Sequence, residues 1–327
     1  MKLASIFRDN MVFQAEKPVR FFGTGSGKLE IALKGNTYTQ TFSGDTWVME
    51  LPAQPYGGVF DITVRLQGES VELKNVAFGD VFLCAGQSNM QFTIRDEKGA
   101  STVKTDEKIR YFSSDRMEEH DAVKTADGWL LCKENGVCGW SALGTHIAVE
   151  YRKKKDVFVG IIGCFQGASA IRSWIPEREL NESVYLPLNE LHSDYVHPVF
   201  SVWNGDSRLY QHTFLPVVPF VVKGVVWYQG ESDTTVAEGT VYTQLLAGLI
   251  KAWREDLKDA DLPFVVVEIC DFDARNDDGW RAIQQCQQAV SKLVKNVTTV
   301  TSKDVCEHFD IHPANKEELA RKIARVL

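Results

Sequence analysis

No stretch of this 327-residue chain approaches 18 consecutive apolar residues, so no membrane-spanning helix is expected. No basic block is long enough to suggest a nucleic-acid partner. The chain has 36 Lys+Arg against 44 Asp+Glu, a net charge of −8. Its densest basic run, "YRKKKD" at 151–156, ends a helical pattern, where cations complement the helix dipole. The seven cysteines, at 84, 132, 138, 164, 270, 286 and 306, are odd in number and form no CxxC. Buried free thiols are expected, with Cys132 and Cys138 the pair near enough for a local disulfide. The start, "MKLASIFRDNMVF", has no continuous apolar segment, because Arg8, Asp9 and Asn10 interrupt it. No signal peptide is read there, and a cytoplasmic protein is expected. The chain is 44% hydrophobic and 24% charged, the composition of a globular protein.

Two regions differ in pattern. Residues 1–78 carry short β-type runs such as "KPVRFFGTG", "KLEIALKG", "TWVMELPA" and "VFDITVRLQG". Gly, Pro, Asn and Asp separate these runs at intervals of about 8–12 residues, which suggests a small antiparallel sandwich. From residue 79, apolar runs "DVFLCAG", "VFVGIIGCF", "VKGVVWYQG", "FVVVEICD" and "VTTVTSK" alternate with helical patterns. In "YTQLLAGLIKAWREDL", Tyr242, Leu245, Leu246, Leu249, Ile250, Trp253 and Leu257 share one face. Such alternation implies a parallel sheet with helices on both faces. Asn315 and Glu318 have capping-box spacing before the last helix. The polar stretch 93–139 reads as an irregular insertion over the sheet. The expected domains are therefore 1–78, a β-sandwich, and 79–327, an α/β unit.

Open α/β sheets bind ligands at the carboxyl ends of their strands. "GDVFLCAGQSNMQF", residues 79–92, is a core strand that delivers Ser88 into a polar loop. The later strands lead into Gly167, Ser169, Arg172 and Trp174; Gln229, Glu231 and Asp233; and His308, Asp310 and His312. If the strands are parallel, these loops crowd one edge. A serine needs a base to become a nucleophile, and an imidazole suits neutral pH. The developing oxyanion needs donors, which glycine turns and an amide side chain can supply. The set suits acyl transfer.

"GDVFLCAGQSNM", "GVVWYQGESD" and "DIHPANK" resemble the sialate O-acetylesterase family of SGNH (GDSL-like) hydrolases. "MVFQAEKPVRFFG", "VFVGIIGCFQGASAIRSWI" and "LPVVPFVVKGVVWYQGESD" extend the likeness over most of the chain. The resemblance implies an SGNH flavodoxin-like α/β domain and a serine esterase that removes O-acetyl groups from carbohydrate. It implies Ser88 as nucleophile and His312 as general base. It implies oxyanion donors from the Ser88 backbone, Gly167 and the Gln229 side chain, with Gln229 in the place of the asparagine of more typical SGNH enzymes. Glu231 would brace the loops. SGNH enzymes often place the acid three residues before the histidine, and that position here is Phe309. Asp310 is the nearest carboxylate, while Glu307, Asp304 or a backbone carbonyl are alternatives.

Other residues have plainer readings. Arg172 could meet a substrate carboxylate or form a structural ion pair, and Trp174 and Trp280 could stack on a sugar or pack. His308 and His312 make a poor metal pair across Phe309 and Asp310. His120, His146, His192, His197 and His212 read as surface or packing residues. No metal or organic cofactor is expected. The expected partner is an O-acetylated sugar or glycan, acetylated sialic acid or acetylated xylan, with no nucleic acid and no membrane. The rival reading is a carbohydrate-binding protein on an inactive hydrolase scaffold.

Overall fold

The computed structural model describes residues 1–98, 103–117, 128–133 and 136–327. The N-terminal region supplies β1 (Lys2–Leu3), β2 (Val12–Gln14), β3 (Val19–Thr24), β4 (Gly27–Leu33), β5 (Asn36–Phe42), β6 (Thr46–Leu51) and β7 (Gly57–Leu66). Then come β8 (Glu69–Gly86), the single turn α1 (Ser88–Gln91), β9 (Asp106–Ser113), β10 (Leu130–Cys132), α2 (Ala142–Lys154) and β11 (Phe158–Phe165). The chain closes with β12 (Gly224–Tyr228), α3 (Val236–Asp256), β13 (Phe264–Glu268), α4 (Asp278–Leu293), β14 (Val297–Thr301) and α5 (Glu317–Val326).

β1, β3 and β6 form a small antiparallel sheet. The remaining strands join one large mixed sheet, in the order β10-β9-β11-β8-β12-β13-β14, with β2, β4, β5 and β7 attached beside β8. β8 is the spine. Residues 69–78 pair antiparallel with β7, and residues 79–86 pair parallel with β11 and β12. The expected boundary at 78/79 thus falls inside one continuous strand. Gly79 marks the switch, because a Cβ there would lie 2.0 Å from the Phe158 carbonyl oxygen. From β9 through β14 the neighbours are parallel, and only the edge strand β10 is antiparallel.

The helices follow their apolar spacing. α3 buries Tyr242, Leu245, Leu246, Leu249, Ile250 and Trp253 and packs on α4, while α2 packs on α5. α3 also has the capping box, Thr235 with Glu238. At α5 the expected box does not form. Asn315 accepts from the Glu317 N–H at 2.9 Å, and Lys316 takes the cap position. A second difference is β9, inside the stretch read as irregular. Its charged look misleads, because Arg110 is buried and donates to the carbonyls of Asn10, Met11 and Asn75. Burial pushes this guanidinium down to about 10. The seven cysteines are free thiols, Cys132 and Cys138 included. No helix among the described residues is long and apolar enough to cross a membrane.

Candidate active site

The carboxyl ends of β8, β11, β12 and β14 meet at one edge. β8 stops at Gly86, held at φ 138°. A Cβ there would lie 2.0 Å from the Tyr228 carbonyl oxygen, so only glycine lets β12 pass this close. Gln87 then turns inward. Its backbone N–H donates to Tyr228, and its side-chain oxygen accepts from the N–H groups of Gly230 at 3.1 Å and Ser232 at 3.4 Å. Ser88 opens the α1 turn directly after this anchor.

Asn89 holds the Ser88 turn to two other loops. Its amide donates to Glu231 Oε1 at 2.6 Å and to the Ile311 carbonyl at 2.9 Å. Its oxygen accepts from Lys316 Nζ at 2.7 Å. All three side chains are buried, and Glu231 Oε2 has no partner among the described residues. Burial pushes the Glu231 carboxyl up, opposed by Asn89 and Lys316. Burial pushes the Lys316 ammonium down to about 8, opposed by Cys306, Glu231, Glu307 and Glu97.

His312 lies on the loop after β14, half-buried, with its ring centroid 6.2 Å from that of Phe92. Burial lowers its affinity for a proton and Lys316 lowers it further, while Asp310 and Asp96 pull the other way. The neutral, basic imidazole is thereby favoured. Asp310 is exposed, and its carboxylate accepts from the His312 backbone N–H at 2.9 Å. No hydrogen bond joins Asp310 to the ring among the described residues. Asp304 pairs with Lys322 at 2.6 Å. One Glu307 oxygen is buried without a partner among the described residues. His308 bonds the Lys303 carbonyl at 2.9 Å and so ties down its own loop.

Gly167 comes next to the nucleophile from β11. A Cβ on it would lie 3.7 Å from Ser88 Cβ. Its N–H donates to Gln91 Oε1 at 2.7 Å, so an oxyanion bound there must take over that bond. Gln229 departs from expectation. It is fully buried, and its amide donates to the Ser169 carbonyl at 2.9 Å and to Asp233 Oδ2 at 2.5 Å. Both hydrogens are spent on the scaffold, and Tyr242 donates to its oxygen. To donate to an oxyanion, Gln229 would have to give up one of these buried bonds, as the Gly167 N–H would its bond to Gln91. Burial pushes Asp233, its partner, up to about 8.

For several other residues the structure shows the packing or ion-pair alternative that the sequence allowed. Trp174 is fully buried, donates to Ser169 Oγ at 3.0 Å and lies edge-on to Trp227, so it is not placed to stack on a sugar. Trp280 is buried and donates to the Cys270 carbonyl. Arg172 pairs with Asp206 at 2.7 Å and sits over the Tyr185 ring. His146 pairs with Glu97 at 2.9 Å and His192 with Asp194 at 3.3 Å. His197 stacks on Phe200, and His212 is exposed. His120 lies outside the described residues. No group of three or more potential metal ligands occurs among the described residues.

Asn89, Gln91 and Lys316 are the site residues that sequence reasoning missed. All three stand inside the stretches that drew attention to the site. A cavity of about 810 Å³ beside α4 does not involve Ser88 or His312. A smaller one, about 260 Å³, is lined by Gln91, Tyr111, Trp140 and Phe165 among others.

Known proteins carry the same organisation. The profile of the carbohydrate esterase family of sialic acid-specific acetylesterases matches residues 78–326. The sialate O-acetylesterase of Homo sapiens is 25% identical over 380 residues, covering 98% of this chain and 69% of that protein. The sialate O-acetylesterase of Mus musculus is 26% identical over 336 residues, covering 85% and 62%. A carbohydrate acetylesterase from Xanthomonas citri superposes with a TM-score of 0.86 at 25% identity, covering 99% of this chain and 74% of that one. On the extent of the family match, the chain belongs to the sialic acid-specific acetylesterase family of carbohydrate esterases.

Proposed function

We propose that this carbohydrate O-acetylesterase works through an acetyl-Ser88 intermediate, with His312 as its base, and that its substrate is an O-acetylated sialic acid. The observation that carries the mechanism is the Asn89 amide. It bonds the carbonyl next to His312 while its own backbone follows Ser88, so nucleophile and base share one rigid edge. Ser88 Oγ attacks the acetyl carbonyl carbon and gives its proton to the imidazole. The oxyanion is met by the N–H groups of Ser88 and Gly167, the latter exchanged from Gln91. His312 then protonates the departing sugar oxygen. Water, deprotonated by the same ring, attacks the acetyl-enzyme, and acetate leaves as Ser88 recovers its proton. Apo geometry without a Ser88–His312 hydrogen bond is compatible with this, since such bonds tighten on substrate binding.

Sialic acid carries a carboxylate. Arg172 pairs with Asp206; Arg116 lines the 260 Å³ cavity together with Gln91, and its guanidinium is of the type that recognises a carboxylate. The six parallel strands run β9-β11-β8-β12-β13-β14, 2-3-1-4-5-6 in chain order; with the edge-side strand β9 set apart, the other five keep the 2-1-3-4-5 order, which supports the flavodoxin-like reading of residues 79–327. Residues 1–78 would be a β-unit sharing the β8 spine. Acetate release by wild type and Ser88→Ala from O-acetylated sialic acid and acetylated xylan tests the proposal. Release from the sialic acid, abolished in Ser88→Ala, is expected. Faster release from xylan would overturn the substrate, and an active variant would overturn the nucleophile.

A further inference from the structure

The most unusual charge near the nucleophile is one the mechanism above does not use. Lys316 is fully buried, with Phe92 and Tyr228 rings 4.9 and 5.9 Å from its ammonium. A lysine rarely stays buried unless paired, because desolvating the ammonium is costly. Among the described residues its one direct side-chain bond is to Asn89 Oδ1, at 2.7 Å. Its backbone is anchored separately, because its N–H donates to Glu97 Oε1 at 3.1 Å and the other Glu97 oxygen meets His146. The side chain is thus held where it is by packing and by Asn89.

An asparagine amide can rotate and exchange its donor and acceptor ends. Here an ammonium, which only donates, fixes the oxygen end. That leaves both N–H groups for acceptors on two different loops, Glu231 Oε1 at 2.6 Å and the Ile311 carbonyl at 2.9 Å. Reversing the amide would set an NH₂ against an NH₃⁺ and an oxygen against a carboxylate.

We propose that Lys316 is a positioning residue of the esterase: it fixes the orientation of Asn89, which ties the Ser88 turn to the His312 loop, and it holds its ammonium over the Phe92 ring that the His312 imidazole also meets. This rests on the Ser88–His312 reading. Cys306, Glu231, Glu307 and Glu97 act on the charge of Lys316, and Lys316, Asp310 and Asp96 act on that of His312. A cation beside the imidazole opposes a second positive charge. Removing it therefore raises the ring's affinity for a proton, and the acid limb of the pH–rate profile moves to higher pH.

The test uses the full chain and p-nitrophenyl acetate. Lys316→Met keeps the stem and removes the charge. Its kcat at the pH optimum should fall by roughly 10²-fold, the scale set by a misplacement of about 1 Å, with KM little changed. Its acid limb should move up. Asn89→Ala should lose kcat similarly with its acid limb in place, because the ammonium remains. The double variant should be no worse than the poorer single, as expected for residues acting as one unit. Folded Lys316→Met with wild-type kcat, or with lowered kcat and an unmoved acid limb, overturns the proposal, and so do losses that multiply in the double variant. If Lys316→Met does not fold, Asn89→Ala decides, and wild-type kcat in it overturns the proposal. Failure of the underlying reading looks different, because wild type would then form no fluorophosphonate adduct on Ser88.

Discussion

The two ends of the parallel half of β8 both bury charge, and they treat it differently. At the entry end, the Asp80 side chain is fully buried and completely satisfied. Gln14, Tyr56 and Lys223 donate to one oxygen, and Tyr151 and Lys155 to the other, all within 3.0 Å. Burial alone would raise this carboxyl, but the bonds from Lys155, Gln14, Tyr151 and Tyr56 win and hold it well below the carboxylate range. At the exit end, on the loops after β12 and β14, Glu231 and Glu307 each keep a buried oxygen without a partner among the described residues. There burial pushes Glu231 up and Lys316 down. One strand thus has a locked end that stabilises the fold and a polarised end at which the proposed nucleophile stands. Perturbed groups concentrate where a site has work for them.

Substitutions at the two ends should separate these roles. The largest effect belongs to Ser88→Ala. It should lower kcat/KM by more than about 10³-fold, about 4 kcal/mol of barrier, while the melting temperature stays at the wild-type value. Assay and thermal denaturation on one preparation check both. Next is Asp80→Ala, which should cost about 3 kcal/mol of stability by urea denaturation at pH 7. Lys155 and Lys223 are partly exposed and can regain water, which keeps the loss at the lower end for a broken buried pair. The specific activity of the folded fraction should not change. The Asp80 carboxyl is lowered by folding, so its contribution is complete above the unfolded carboxylate pKa of about 3.9. It is lost as pH falls through the lowered folded value. Wild type and variant should therefore converge in stability in strong acid, and a constant gap down to the lowest pH would contradict the linkage.

Gln229→Ala should cost about 2 kcal/mol of stability, because Asp233, Ser169 and Tyr242 lose a buried partner. Its folded fraction should keep kcat within about tenfold of wild type. A loss of 10²–10³ in kcat would restore Gln229 as an oxyanion donor. Asp310→Asn should have the smallest effect, less than about tenfold in kcat/KM. An asparagine can still accept the His312 backbone N–H. A loss approaching 10⁴ would make Asp310 the acid that serves the imidazole.

What could be read in the sequence, and what could not, follows the same division. Near-continuous apolar runs such as "GVVWY" and "FVVVE" are parallel strands buried on both faces, and their loops converge as the runs imply. Ser88, Gly167 and His312 reach one edge for that reason. β9 was hidden because "DEKIRYFS" looks exposed until the carbonyls of Asn10, Met11 and Asn75 arrive from elsewhere to meet Arg110. Trp174 and Gln229 stand in the right loops but face inward, since their partners come from Trp227, Trp253 and Asp233. A buried lysine looks like a surface lysine in one dimension, and a buried asparagine like a loop asparagine, so nothing in the sequence marks Lys316 or Asn89. The three partners of Asn89 come from the loops after β12 and β14.

The central claim is that the exit end of β8 presents the nucleophile. Fluorophosphonate treatment of the wild-type protein, followed by peptide mass spectrometry, tests it most directly. The account predicts one adduct, on Ser88, that forms far more slowly in His312→Ala and at the wild-type rate in the folded fraction of Asp80→Ala. An adduct on another residue, or labelling of Ser88 that does not depend on His312, would contradict it.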